Sequence, residues 1–187
     1  MTSASTGLSQ NQQHAIVFEP RPARVPALQL VLCQALLKAD RFEWVLQKGT
    51  ELGVGAFVPL ITRRVVAGRD GAAAKLERWR RIVTEAAEQS GRTRVPALRA
   101  PVPLGTALAM PGARVMCWEQ YAGPGLRDVL VAAGDGPLCL FIGPEGGFAP
   151  EEAAEAQRVG ARLVSMGPRI LRSETAAIAA AALALLP

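Results

Sequence analysis

The residues best suited to chemistry lie in two stretches near the C-terminus, "FIGPEGGFAPEEAAEA" from Phe141 and "LVSMGPRILRSETAAIAAAALALL" from Leu163. Each carries an apolar, strand-like run into a Gly/Pro loop and then into a helical pattern. Gly143, Gly146, Gly147 and Gly167 have no side chain, so the backbone there can come close to a ligand and donate N–H groups to it. Pro144 and Pro168 stiffen the same loops. In open parallel sheets, ligands sit beyond the carboxyl ends of the strands, where both loops fall. The pair is suited to wrapping one nucleotide-like ligand. Tight strand-to-helix turns with no ligand use the same residue types.

Other chemistries are disfavoured. There is no G-x-G-x-x-G after the first strand and no G-x-x-x-x-G-K-[ST] anywhere, which argues against a Rossmann dinucleotide site and a P-loop. The only histidine, His14, lies in a weakly patterned N-terminal segment, which argues against histidine-dependent catalysis and His-based metal sites. Cys33, Cys117 and Cys139 are odd in number and form no C-x-x-C pair. Cys33 and Cys139 sit in apolar runs and read as buried thiols in a reducing compartment, with no metal site expected. Lys plus Arg outnumber Asp plus Glu by 21 to 16, and the net charge of +5 favours a polyanionic partner.

The elements that must position the loops alternate. "LQLVLCQAL" (28–36) reads as a strand buried on both faces. A helix follows, with Asp40 as its cap, Phe42, Val45, Leu46 and Leu52 near helical spacing, and Gly53 as its stop. "AFVPLI" (56–61) is the next strand, and 68–75 reads as loop. In "KLERWRRIVTEAAEQSG", Leu76, Trp79, Ile82, Val83, Ala86 and Ala87 share one helix face, and Gly91 ends it. "VPALRAPVP" is extended, 113–120 a strand, "GPGLRDVLVAAG" a short helix, and 137–143 a buried strand leading into the first loop. A helix begins at Pro150 with acids in its first turn. Residues 161–167 form a strand, and the last helix takes Ser173 as its cap. Strands alternating with helices predict an α/β fold with a mainly parallel sheet.

The chain of 187 residues suits one full-sized domain. Residues 1–27 read as a leader or linker, or as the last strand of something otherwise missing, and 28–187 as the main domain. No secretory signal is visible. The longest apolar run, Ala176–Pro187, is too short and too Ala-rich to span a bilayer, so a cytoplasmic, membrane-free protein is expected. After Glu174 the last helix carries no charge and needs cover nearly all round, for which a subunit interface is the natural source.

"IGPEGGF" followed by "EE", and then "LVSMGPRILRSETAAIAA", closely resemble the motifs of the SPOUT methyltransferases. "LQKGTELGV", "PLITRR" and "EAAEQSGRTRVP" resemble, in order, the other blocks of the RsmE-type family within them, which methylates N3 of a uracil in small-subunit ribosomal RNA. The resemblance covers roughly residues 28–186. It implies a C-terminal trefoil knot, an S-adenosyl-L-methionine site made by the knot loops, a homodimer, and small-subunit ribosomal RNA or the assembled small subunit as partner. Such proteins usually carry an N-terminal PUA-like barrel. About 27 residues precede the first strand here, so that barrel is expected to be largely missing, which weakens the expectation of tight RNA binding.

By the same resemblance Phe141, Ile142, Gly143, Pro144 and Gly147 form one wall of the cofactor pocket. Met166, Gly167, Ile170, Leu171, Arg172, Thr175 and Ala176 form the other, with Ile170 and Leu171 equally suited to ordinary core. A uracil N3 must lose its proton, and the resulting charge spreads to O2 and O4. Arg172, at a helix start, is the candidate to stabilise it, or else pairs with Glu174. Glu145 and Glu174 are possible proton acceptors. Glu174 is better placed for a structural role, and the general base stays unassigned. Arg63, Arg64, Arg92 and Arg94 follow a strand and a helix where they can meet phosphates, while Lys48 and Glu51 suit an intrahelical pair. Two other readings stay open: a related knotted methyltransferase acting on transfer RNA or ribose 2′-oxygen, and a non-catalytic RNA-binding or ribosome-assembly factor.

Overall fold

A computed structural model describes residues 29–38, 40–65, 72–131 and 136–186. The 1–27 segment, His14 and residues 68–71 of the expected 68–75 loop lie outside the described residues, while 72–75 is helical and opens the helix Ala72–Gln89 instead of continuing the loop. The strands are β1 (Leu30–Ala35), β2 (Ala56–Ile61), β3 (Ala97–Leu98), β4 (Val102–Pro103), β5 (Ala113–Cys117), β6 (Leu138–Ile142) and β7 (Arg162–Val164). The helices are α1 (Arg41–Leu52), α2 (Ala72–Gln89), α3 (Leu104–Leu108), α4 (Leu126–Val131), α5 (Pro150–Arg158) and α6 (Ser173–Leu185).

The sheet runs β3-β2-β1-β6-β5-β7, with β4 also on β2, and every pairing is parallel. The α/β fold with a mainly parallel sheet is therefore as the alternation predicts. Its central strands are buried on both faces, which is why they read as unbroken apolar runs: all of β6, Leu138 to Ile142, is inaccessible. Cys33, Cys117 and Cys139 are all buried free thiols.

α1 buries Phe42, Val45, Leu46, Gly49 and Thr50. Phe42 meets Trp79 of α2, their ring centroids 4.6 Å apart. A Cβ on Gly49 would stand 2.8 Å from the Phe57 ring, so the bare glycine lets α1 settle onto β2. Gly53 ends the helix in the left-handed region, at φ +107°. α1 packs on α2 and on α6, and α6 lies against β1.

Both expected side-chain caps differ from the sequence reading. Asp40 makes no side-chain cap bond, because its own backbone is already helical and its carbonyl accepts the Trp44 N–H. Arg172 occupies the cap position of α6, and Ser173 is the first helical residue, its hydroxyl turned to a tertiary partner described below. α3, a single short turn after Pro103, is an element the sequence pattern does not announce. Among the described residues no helix is long and apolar enough to cross a membrane.

Candidate functional site

Strand order brings the site together. β6, β5 and β7 are consecutive and parallel, so their carboxyl ends leave the sheet at one edge. Gly143–Ala149 follows β6, Trp118 and Glu119 follow β5, and Ser165–Arg172 follows β7. Between these segments is a cavity of about 330 Å³, within the usual range for small-molecule sites.

The first loop is a tight turn: the Gly147 N–H donates to the Pro144 carbonyl at 2.9 Å. Gly147 sits at φ +68°, and a Cβ there would lie 2.1 Å from Glu119 Oε1. A Cβ on Gly143 would press on the Phe148 nitrogen at 3.1 Å. The Trp118 indole N–H holds the loop exit through the Phe148 carbonyl, at 3.3 Å. The second loop is fixed at its entry, where Ser165 exchanges backbone bonds with Pro124 and Leu126. Its hydroxyl then accepts the Gly167 N–H at 3.1 Å.

Ser173 joins the loops. Its hydroxyl donates to the Gly143 carbonyl, and the buried Gln34 amide of β1 donates to the Ser173 oxygen at 3.0 Å. Gln34 also donates to the Ala35 carbonyl at 2.9 Å, while its Oε1 has no partner among the described residues. Arg41 reaches across the same gap, 3.5 Å from Glu145 and 3.9 Å from Glu174. Glu145 also accepts the Lys38 N–H at 3.1 Å. Glu174 thus pairs with Arg41, and among the described residues no acid pairs with Arg172. The Lys48–Glu51 pair forms at 2.8 Å.

Of the expected cofactor residues, Ile142, Gly143, Pro144 and Gly147 line the cavity on one side. Met166, Gly167, Ile170, Leu171 and Ala176 line it on the other. Ile170 is 87% exposed, an apolar side chain standing at the rim. Phe141 is buried within the sheet, and the cavity wall does not include it, Arg172 or Thr175; the last two are exposed at the start of α6. Gly146, expected from its bare backbone, lines the cavity too, and Glu119, Trp118, Arg169 and Ser173 line it without having been singled out for it. The sequence reading ran this strand over 113–120 and so put Glu119 inside it; β5 ends at Cys117, which leaves Glu119 free to line the cavity.

The four arginines divide. The Arg92 guanidinium donates to the Thr50 and Val54 carbonyls at 2.9 and 2.8 Å, capping the C-terminus of α1, and burial lowers its pKa. Arg64 donates to the Gly146 carbonyl of the first loop at 2.7 Å. Arg63 lies 3.7 Å from Glu151, and its N–H donates to buried Glu152 at 2.8 Å. Glu152 also accepts the Ala149 N–H at 2.8 Å, holding the start of α5. Arg94 is exposed.

The profile of the RNA methyltransferase domain family matches residues 24–185. A protein of Mycobacterium bovis named ribosomal RNA small subunit methyltransferase E is 38% identical over 173 residues, covering 85% of this chain and 62% of that protein. One of the same name from Synechocystis is 40% identical over 154 residues, covering 80% of this chain and 50% of that protein. A crystal structure of a ribosomal RNA small subunit methyltransferase E from Neisseria gonorrhoeae bound to S-adenosyl methionine superposes with a TM-score of 0.75 at 37% identity. It covers 83% of this chain and 64% of that one. The chain thus spans between half and two thirds of these relatives.

Proposed function

Because the chain belongs to the family of RNA methyltransferase domains, we propose that residues 28–187 transfer a methyl group from S-adenosyl-L-methionine to N3 of a uracil in small-subunit ribosomal RNA. The observation that carries this reading is the cavity closed by the two loops that Ser173 ties together. Its wall fits a nucleoside cofactor: apolar Ile142, Met166, Leu171 and Ala176 suit the faces of a base, and the bare Gly143 and Gly147 expose backbone to its edge. The likeness of this chain to relatives named ribosomal RNA small subunit methyltransferase E, one of them bound to S-adenosyl methionine, supports methylation of that RNA from that cofactor.

The cofactor, when bound, supplies an already activated methyl group, so the protein's task is placement. The uracil brings the electrostatic demand, since loss of its N3 proton leaves charge on O2 and O4. Arg172 stands exposed beside the cavity, with no acid neutralising it among the described residues, and we assign it to that charge. Glu145 and Glu174 are both engaged by Arg41, which favours solvent as the proton acceptor.

The C-terminal knot of the family accords with the adjacency of the β6, β5 and β7 loops. A homodimer accords with α6, whose flank leaves Leu183 41% and Leu186 55% exposed. Arg94, with Arg63 and Arg64 beside the first loop, is the proposed contact for RNA phosphates. Cytoplasmic location follows from a ribosomal substrate. The test is mass mapping of modified uracils in small-subunit ribosomal RNA from a strain lacking the protein. Loss of one N3-methyl mark, restored by the wild-type gene, supports the reading; an unchanged map overturns it.

A further inference from the structure

We propose that Glu119 reads the vicinal hydroxyls of the nucleoside ligand, an inference that rests on the cofactor reading above. Glu119 lines the cavity from the end of β5, between the β6 and β7 loops that supply most of the apolar wall. Its carboxylate lies in the room that a side chain on residue 147 would take: Oε1 and Oε2 stand 2.1 and 2.8 Å from an ideal Cβ on Gly147. Both oxygens therefore lie along the first loop, and the missing side chain is what lets them stay there. Among the described residues no cation or N–H engages them; the other lining carboxylate, Glu145, is held by Lys38 and Arg41. Arg169, the cationic residue of the wall, is not paired with Glu119.

An ionised carboxylate only accepts hydrogen bonds, and its two oxygens match a pair of adjacent hydroxyls. Glu119 is exposed, at the rim of the cavity. There a charge-to-charge attraction is screened and weak, whereas a two-point hydrogen bond still discriminates by geometry. That favours a cis-diol over the ligand's sulfonium or ammonium as the group recognised.

The test is calorimetric titration of wild type, Glu119→Ala and Glu119→Gln with S-adenosylmethionine, S-adenosylhomocysteine and the 2′,3′-dideoxy form of S-adenosylhomocysteine. Glu119→Ala is expected to weaken the first two ligands equally, by roughly 10- to 100-fold, as for a hydrogen bond to a charged group. Glu119→Gln, which keeps one acceptor oxygen, loses less. The dideoxy ligand binds wild type and Glu119→Ala alike. A loss at least tenfold greater for S-adenosylmethionine than for S-adenosylhomocysteine would show sulfonium recognition and overturn the proposal. So would a loss that persists with the dideoxy ligand, or no loss at all while wild type binds. A wild-type protein that binds neither cofactor form would remove the cofactor reading and this inference together. Melting temperatures of the variants, expected unchanged at so exposed a position, control for folding.

Discussion

The Ser173 hydroxyl donates to the Gly143 carbonyl, so the first turn of the last helix is bonded to the first residue of the loop after β6. This contact fixes the spacing of the cavity walls. Ser173→Ala removes it and leaves the Gln34 amide without one of its acceptors. The expected cost is about 1–3 kcal/mol of stability, measured by denaturant unfolding. Cofactor affinity should fall by roughly tenfold, about 1.4 kcal/mol. Unchanged affinity would mean the walls hold their spacing without this bond.

Gly147→Ala introduces a Cβ where Glu119 now sits and forces alanine to φ +68°. Strain of about 1–2 kcal/mol is expected from the backbone alone. Cofactor binding should be lost. Gly160→Ala is the control: φ there is +84°, but nothing lies within 4 Å of the added Cβ. It should cost similar stability and leave binding intact.

Arg172→Ala should retain cofactor binding, since Arg172 is absent from the cavity wall, while methylation in a single-turnover assay falls by about 100-fold or more. Wild-type activity in this variant would remove Arg172 from the chemistry.

Arg92 and Arg94 should separate cleanly. Arg92→Ala deletes the donor to Thr50 and Val54 and should lower stability by about 1–3 kcal/mol. Arg94→Ala should leave stability alone and reduce the slope of log K for RNA against log salt by roughly one. Equal effects on both readouts would contradict the division of roles.

Burial pushes the Cys117 thiol up to about 12. The folded state therefore keeps a proton that the unfolded state releases near pH 9. The unfolded chain then binds fewer protons, so stability from this group is intact below about pH 9 and declines as pH rises toward 12. Cys117→Ala should flatten the alkaline arm of a stability–pH curve. An identical slope in both proteins would rule this thiol out as its source.

Much of this was legible in the chain because it rests on local patterns. The β2 run "AFVPLI" is bounded by Gly55 and by polar Thr62, and its apolar character leaves one reading. The Gly/Pro loops announce themselves by backbone freedom. What was not legible depends on tertiary partners. Asp40 and Ser173 have the chemistry of helix caps, yet one has no need to cap and the other finds the Gly143 carbonyl. Arg92 has the charge of a phosphate contact, but the free carbonyls at the end of α1 reach it first. Glu119 escaped notice because its value depends on β5 lying between β6 and β7, an order no local pattern states.

The bond from Gln34 to Ser173 spans 139 positions of the chain. Gln34 belongs to the first described strand and Ser173 opens the last helix, so a nascent polypeptide has no finished binding chamber until α6 has left the ribosome and docked on β1. A polypeptide that stopped short of Ser173 would hold a sheet with its two loops unlatched, and the ability to hold a nucleoside arrives only once α6 has been made.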